Sequence, residues 1–142
     1  MYATLTSSSA SVYGSRNSSS LYRQIGLETG VSSATPHQLI VMLLNGALEA
    51  IAQARGAIKT NQLEAKCKAI SKAVSIVDEG LKASLDLRSG GDIANNLNDL
   101  YAYVTNRLTQ ANLHSDDAAL AECSNLLTPV RDAWIAIEGA QA

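Results

Sequence analysis

Four stretches of this chain repeat apolar residues every three or four positions, and that spacing constrains the fold more than any other feature. The rhythm puts apolar side chains on one face of an α-helix, whereas a half-buried strand alternates every second residue. The first stretch carries Leu39, Leu43, Gly46/Ala47, Ile51, Ala54 and Ile58. A second row, Ile40, Leu44 and Leu48, makes this stripe wider than one core face requires. The second stretch carries Leu63, Cys67, Ile70, Val74, Val77, Leu81 and Leu85. The third carries Ile93, Leu97, Leu100, Val104, Leu108 and Ala111, and the fourth Leu120, Cys123, Leu127, Val130, Trp134 and Ile137.

The breaks between these stretches have their own chemistry. Thr35–Pro36–His37–Gln38 reads as a helix start, with Thr35 as N-cap, Pro36 at the first helical position and Gln38 closing a capping box. Lys59–Thr60–Asn61 ends that helix, and the next begins near Asn61 with Glu64 three residues on. Ser89–Gly90–Gly91 is expected to stop the second helix and Asp92 to open the third. Asn112–Leu113–His114 breaks the third, and Ser115 with Asp116 and Asp117 caps the fourth, where acids suit the positive end of the helix dipole. Pro129 falls inside the fourth helix, so a kink or break is expected between Leu126 and Pro129. Short connections make consecutive helices antiparallel. The expected fold is all-α, an up-down-up-down four-helix bundle over residues 31–138. The charges Lys66, Lys68, Lys72, Asp78, Glu79 and Lys82 fall mostly off the second seam.

Composition agrees. Aromatics are 4% of 142 residues and Phe is absent, so the core is built from Leu, Ile, Val and Ala, which favours helix-on-helix packing over a sandwich. The first 30 residues read differently. Eight of the first twenty are Ser, which cannot bury enough surface to offset ordering entropy, so a mobile arm is expected. It carries Tyr2 and Tyr13, then Leu21, Tyr22 and Ile25, with a short helix possible near 21–28.

Several functions are excluded by what the residues lack. A net charge of −2 with scattered basic residues gives no footprint for nucleic acid or an anionic membrane. The N-terminus lacks the basic and apolar regions of a secretory signal, and the strongly apolar run Leu39–Leu44 is too short to span a bilayer. A cytoplasmic protein is expected. No Glu-x-x-His pair, C-x-x-C-H or phosphate-binding glycine loop is present, so no cofactor, metal or catalytic site is expected. Cys67 and Cys123 read as reduced core thiols, and His37 and His114 as solvated. The expected role is a non-enzymatic helical module that binds another polypeptide.

Polar and aromatic residues concentrate in Asn95–Asn96–Leu97–Asn98–Asp99–Leu100–Tyr101–Ala102–Tyr103. Asn is a poor helix former, and a Tyr pair suits an interface. The segment GGDIANNLNDLYAYVTNRLTQAN, from Gly90 to Asn112, resembles the GGxIAxNLxxLYxYxxxRLxxAN signature of the flagellin-specific export chaperones, the FliS family. VSSATPHQLIVMLLNGALEAIAQARGAI, from Val31, and LLTPVRDAW, ending at Trp134, are similar to the family's helix opening and its close. Leu44–Asn45 stands where many members carry Tyr-Asp, and Pro129 replaces a usual helix former.

The resemblance implies a cytoplasmic chaperone that binds the disordered C-terminal region of flagellin, prevents premature polymerisation and assists delivery to the export gate of the flagellar type III system. It implies a monomer or weak homo-oligomer. The contacts expected on that basis are Tyr22 and Ile25 in the arm, Leu43, Leu44 and Leu48 on the first helix, and Asn96, Leu97, Leu100, Tyr101 and Tyr103 on the third. Leu97 and Leu100 also fall on the core seam. The alternative is a regulatory helical adaptor for another flagellar protein, an anti-sigma factor or an export-gate component.

Overall fold

A computed structural model describes residues 33–141, with side chains through Ile137. The arm over residues 1–30, its possible helix, Tyr22 and Ile25 lie outside the described residues. Four helices and no strand occur among those described. They are α1 (Pro36–Lys59), α2 (Leu63–Ser75, continuing as a π-helical segment Ile76–Lys82), α3 (Gly91–His114) and α4 (Asp117–Gln141). Helix α1 lies between α2 and α4, and α3 closes the ring between them. The expected all-α bundle is the fold.

Helix α1 begins as its residues dictate. Gln38 N–H donates to Thr35 Oγ1 at 3.1 Å while Thr35 N–H donates to Gln38 Oε1 at 2.9 Å. That reciprocal box satisfies two of the three donors left open at this helix start, since Pro36 has no N–H. Its inner face buries Leu43, Leu44, Ala47, Ala50, Ile51, Ala54 and Ala57. Alanines in that row let α2 and α4 approach closely, while the larger side chains fill the space between helices. By length and mean hydropathy α1 alone among the described helices is apolar enough to cross a membrane, yet this face is the bundle's core. Each fully buried Leu or Ile in that core contributes about 1.5–3 kcal/mol.

Helix α2 departs from its expected course in three ways. Asn61 is not a cap: it sits in the left-handed region at φ 55°, and Gln62 precedes the helix without a side-chain capping bond. The helix also stops at Lys82 instead of running to Ser89. From Ile76 it widens to π winding, which adds a residue per turn and slips the seam, so Ile76, Val77, Gly80 and Leu81 turn inward together. Asp86 then organises the loop: its Oδ1 accepts from Arg88 N–H and Ser89 N–H, and Ser89 Oγ–H donates to its Oδ2. An Asp that serves its own neighbouring amides favours a turn over a helix.

The third departure is Lys66, expected on the outer face and found 3% exposed. Its ammonium donates to the Asn112 carbonyl and to Ser115 Oγ, both at 2.8 Å. A lysine at the C-terminal carbonyls of α3 meets the negative end of that helix. Helix α3 itself continues through His114 and ends on Ser115, which takes φ 48°. Asp116, not Ser115, caps α4: its Oδ1 accepts from Ala119 N–H at 3.2 Å.

Pro129 does not break α4, which runs on past it. The carbonyl deprived of a donor belongs to Asn125, and both residues are exposed, so water meets the lost bond. Other expectations also change. Ile93 and Leu63, placed on seams, are 74% and 66% exposed. His37, expected to be solvated, donates through Nε2–H to the Trp134 carbonyl at 2.6 Å, its ring 4.8 Å from the indole, and so fastens the start of α1 to the late turns of α4. His114 is exposed as expected, and Cys67 and Cys123 are free thiols, half-buried and buried.

The glycines give a stability test. A Cβ on Gly90 would lie 2.4 Å from Ala94 Cβ and 2.5 Å from the Asp86 carbonyl oxygen, and Gly91 needs φ +63°. Gly56 faces open space on a helix. In thermal unfolding, Gly90→Ala should destabilise by about 1–3 kcal/mol through overpacking. Gly91→Ala should destabilise by about 1–2 kcal/mol through strain, and Gly56→Ala should stabilise by about 0.5–1 kcal/mol.

Candidate interaction surface

The residues singled out in the sequence fall into three groups. Leu43 and Leu44 are 0% exposed and Tyr101 1% exposed, all in the core cluster. Their burial makes these three packing residues of the bundle core. Leu48, Leu97 and Leu100 are half-buried at the core's margin. Asn96 and Tyr103 are exposed, Tyr103 at 45%.

Helical spacing sorts α3 into two stripes. Leu97, Tyr101, Val104 and Leu108 point inward at intervals of four, three and four. Asn96, Leu100, Tyr103 and Arg107 follow the same intervals on an outward stripe. The two tyrosines of one short segment therefore do different things. Tyr101 is a packing residue whose phenol is pushed up to about 12 by desolvation. Tyr103 keeps its ring at the surface and its hydroxyl in a network.

That network joins α3 to α4. Tyr103 O–H donates to Glu122 Oε2, and Arg107 Nε–H donates to Glu122 Oε1 at 2.9 Å. Arg107 also donates to Gln110 Oε1 at 3.0 Å. The Glu122 carboxyl is held below its ordinary range, first by the Tyr103 hydroxyl and then by Arg107. A tyrosine anchored at its tip presents a fixed ring face beside Leu100, and fixing a side chain beforehand lowers the entropy cost of docking.

Leu48 belongs elsewhere. It shares a stripe with Asn45 and Arg55, whose partners are Arg131 and Asp117 of α4. Arg55 and Asp117 meet in a two-pronged ion pair at 2.9 and 3.1 Å. Asp117 and Arg131 lie on one flank of α4 and Glu122 on the other, fourteen and five residues from Asp117 respectively. The fold thus brings Asn96, Leu100 and Tyr103 together along the α3–α4 seam and sets Leu48 on the α1–α4 seam. Glu122 and Arg107 were missed in the sequence. Arg107 stands four residues from Tyr103, the one available signal, but Glu122 joins only through packing. No group of three potential metal ligands occurs among the described residues.

Two titrations check this geometry. In Tyr103→Phe the Glu122 carboxyl, followed by carbon-detected NMR, should titrate at higher pH than in the native chain. An unmoved titration sinks the network. For Tyr101 the folded value is raised above the ordinary 10.0, so its contribution is fully present below pH 10.0 and is lost as pH rises toward about 12. Alkaline unfolding in that window should be delayed in Tyr101→Phe when each protein is normalised to its own stability at neutral pH.

Comparison with known proteins places this arrangement. The model of the family described as flagellar protein FliS matches residues 18–141. The chain is 48% identical over 113 residues to the flagellar secretion chaperone FliS of Salmonella typhimurium, covering 80% of this chain and 84% of that protein. It is 44% identical over 113 residues to flagellar secretion chaperone FliSB of Pseudomonas aeruginosa, covering 80% and 89%. With the flagellar secretion chaperone FliS of Bacillus subtilis identity is 35% over 107 residues, covering 75% and 78%. The chain therefore belongs to the FliS family of flagellar proteins.

Proposed function

We propose that the protein is a cytoplasmic export chaperone without enzymatic activity. It binds the disordered C-terminal region of flagellin, holds it unpolymerised and assists its delivery to the flagellar export gate. The observation that carries this reading is the family match over nearly the whole folded chain.

The surface is suited to the task. A helix forming from a disordered client needs an apolar groove and a few rigid anchors. Leu97 and Leu100 offer partly exposed aliphatic surface, the Tyr103 ring a fixed anchor, and Asn96 an amide for client backbone. Leu48 serves a second contact on the far flank of α4, as a client long enough to wrap would require. Tyr22 and Ile25 remain proposed arm contacts. Leu43, Leu44 and Tyr101 act through the core, shaping the surface above them without touching the client.

The test is co-purification with flagellin and with flagellin lacking its C-terminal tail. A one-to-one complex is expected with the first and none with the second. Retained binding after truncation would falsify the mechanism, and binding only to an anti-sigma factor or gate component would turn the assignment to a regulatory adaptor. Tyr103→Ala should weaken the flagellin complex about tenfold or more by calorimetry, as loss of a central aromatic anchor does.

A further inference from the structure

The opposite end of the bundle, away from His37 and Trp134, holds a cavity of about 140 Å³. Its walls are Ala57, Ile58 and Leu63, with Asn61 and Gln62 at the turn and Lys66 and Ser115 on the polar side. Leu63, Asn61 and Gln62 are exposed, so the cavity opens at the α1–α2 turn.

Lys66 is the unusual element. It is 3% exposed, and no carboxylate pairs with it among the described residues. Its two contacts, the Asn112 carbonyl and Ser115 Oγ, are neutral oxygens. An ammonium has three donors, so one remains. The nearby acids are engaged elsewhere: Asp117 with Arg55, and Asp116 with the Ala119 amide. A buried cation without a counter-ion is costly, several kcal/mol in general, and an anion that reaches it recovers part of that cost. The helix-end carbonyls of α3 supply partial negative charge but no full counter-charge.

From these features we propose that the cavity is a binding site for an aliphatic carboxylate, its charge held by Lys66 and Ser115 and its hydrocarbon part laid against Ala57, Ile58 and Leu63. The size admits a short branched acid or the terminal residue of a chain ending in a free carboxylate. The site is independent of the α3–α4 seam and of the flagellin reading.

The experiment is an amide NMR titration of the full chain with isovalerate, with isovaleramide, and with a short peptide ending in leucine as the free acid or the C-terminal amide. Isovalerate should shift the amides of Asn61 to Leu63 and Ser115 saturably, with isovaleramide at least about tenfold weaker, the factor expected for one lost charge-assisted hydrogen bond. Tighter binding of the free-acid peptide than of isovalerate assigns the site to chain termini, and the reverse order assigns it to free acids. Lys66→Met should abolish the shifts. If that variant fails to fold, the acid–amide comparison on the native chain decides alone. Absence of saturable shifts, or equal binding of acid and amide, overturns the proposal and leaves Lys66 as a helix-capping lysine only.

Discussion

Everything in this bundle depends on how closely two helices can approach α1. Its buried row alternates Leu43, Leu44 and Ile51 with Ala47, Ala50, Ala54 and Ala57. Small residues set the separation, and large ones from α2 and α4 fill what remains. A chain without Phe has few other ways to reach native packing density. Ala69, Ala73, Ala111 and Ala119 repeat the device on the other three helices, so the core is narrow and aliphatic throughout. A narrow core leaves the larger apolar residues Leu48, Leu97, Leu100, Leu126 and Val130 at its margins, partly covered. The apolar seams flanking α4 follow from that economy of space.

How much of this could be read from the residues varied with the range of the interaction. The Thr35–Gln38 box, the end at Thr60 and the four periodic segments rest on contacts within one or two turns, and each was legible. The π-helical segment was not, because the heptad-like run Val74, Val77, Leu81, Leu85 fits an ordinary helix equally well. Lys66 reads as surface in sequence because its acceptors lie 46 and 49 residues away. Pro129 in sequence suggests a kink or a break, but a proline's effect depends on how the freed carbonyl is met, which is a tertiary fact.

The surface residues divide by the same logic. Tyr101 and Tyr103 look equivalent in sequence, two residues apart in one motif. Two residues along a helix turn a side chain by more than half a circle, so one ring enters the core and the other reaches Glu122. The asparagines before them illustrate the companion point: Asn96 shares the Tyr103 stripe, while Asn98 is half-buried off it. The family motif includes Asn96, Tyr101 and Tyr103 alike, but only the helix's rotation distinguishes those that shape the surface from those that form it.

The joint at Lys66 has a further consequence for how the molecule breathes. Within five residues, Asn112 to Asp116, α3 is terminated, α4 is started and α2 is tied to the end of α3. Arg55 and Asp117 bind α1 to the same end. Towards the other end stand the mostly exposed 83–90 loop and the His37–Trp134 contact, with the hydrogen bond lost at Pro129 midway along α4. Local opening starts where few buried contacts must be broken together. The side-chain ties between helices are thus concentrated at one end of the bundle, and amide exchange should be slowest there.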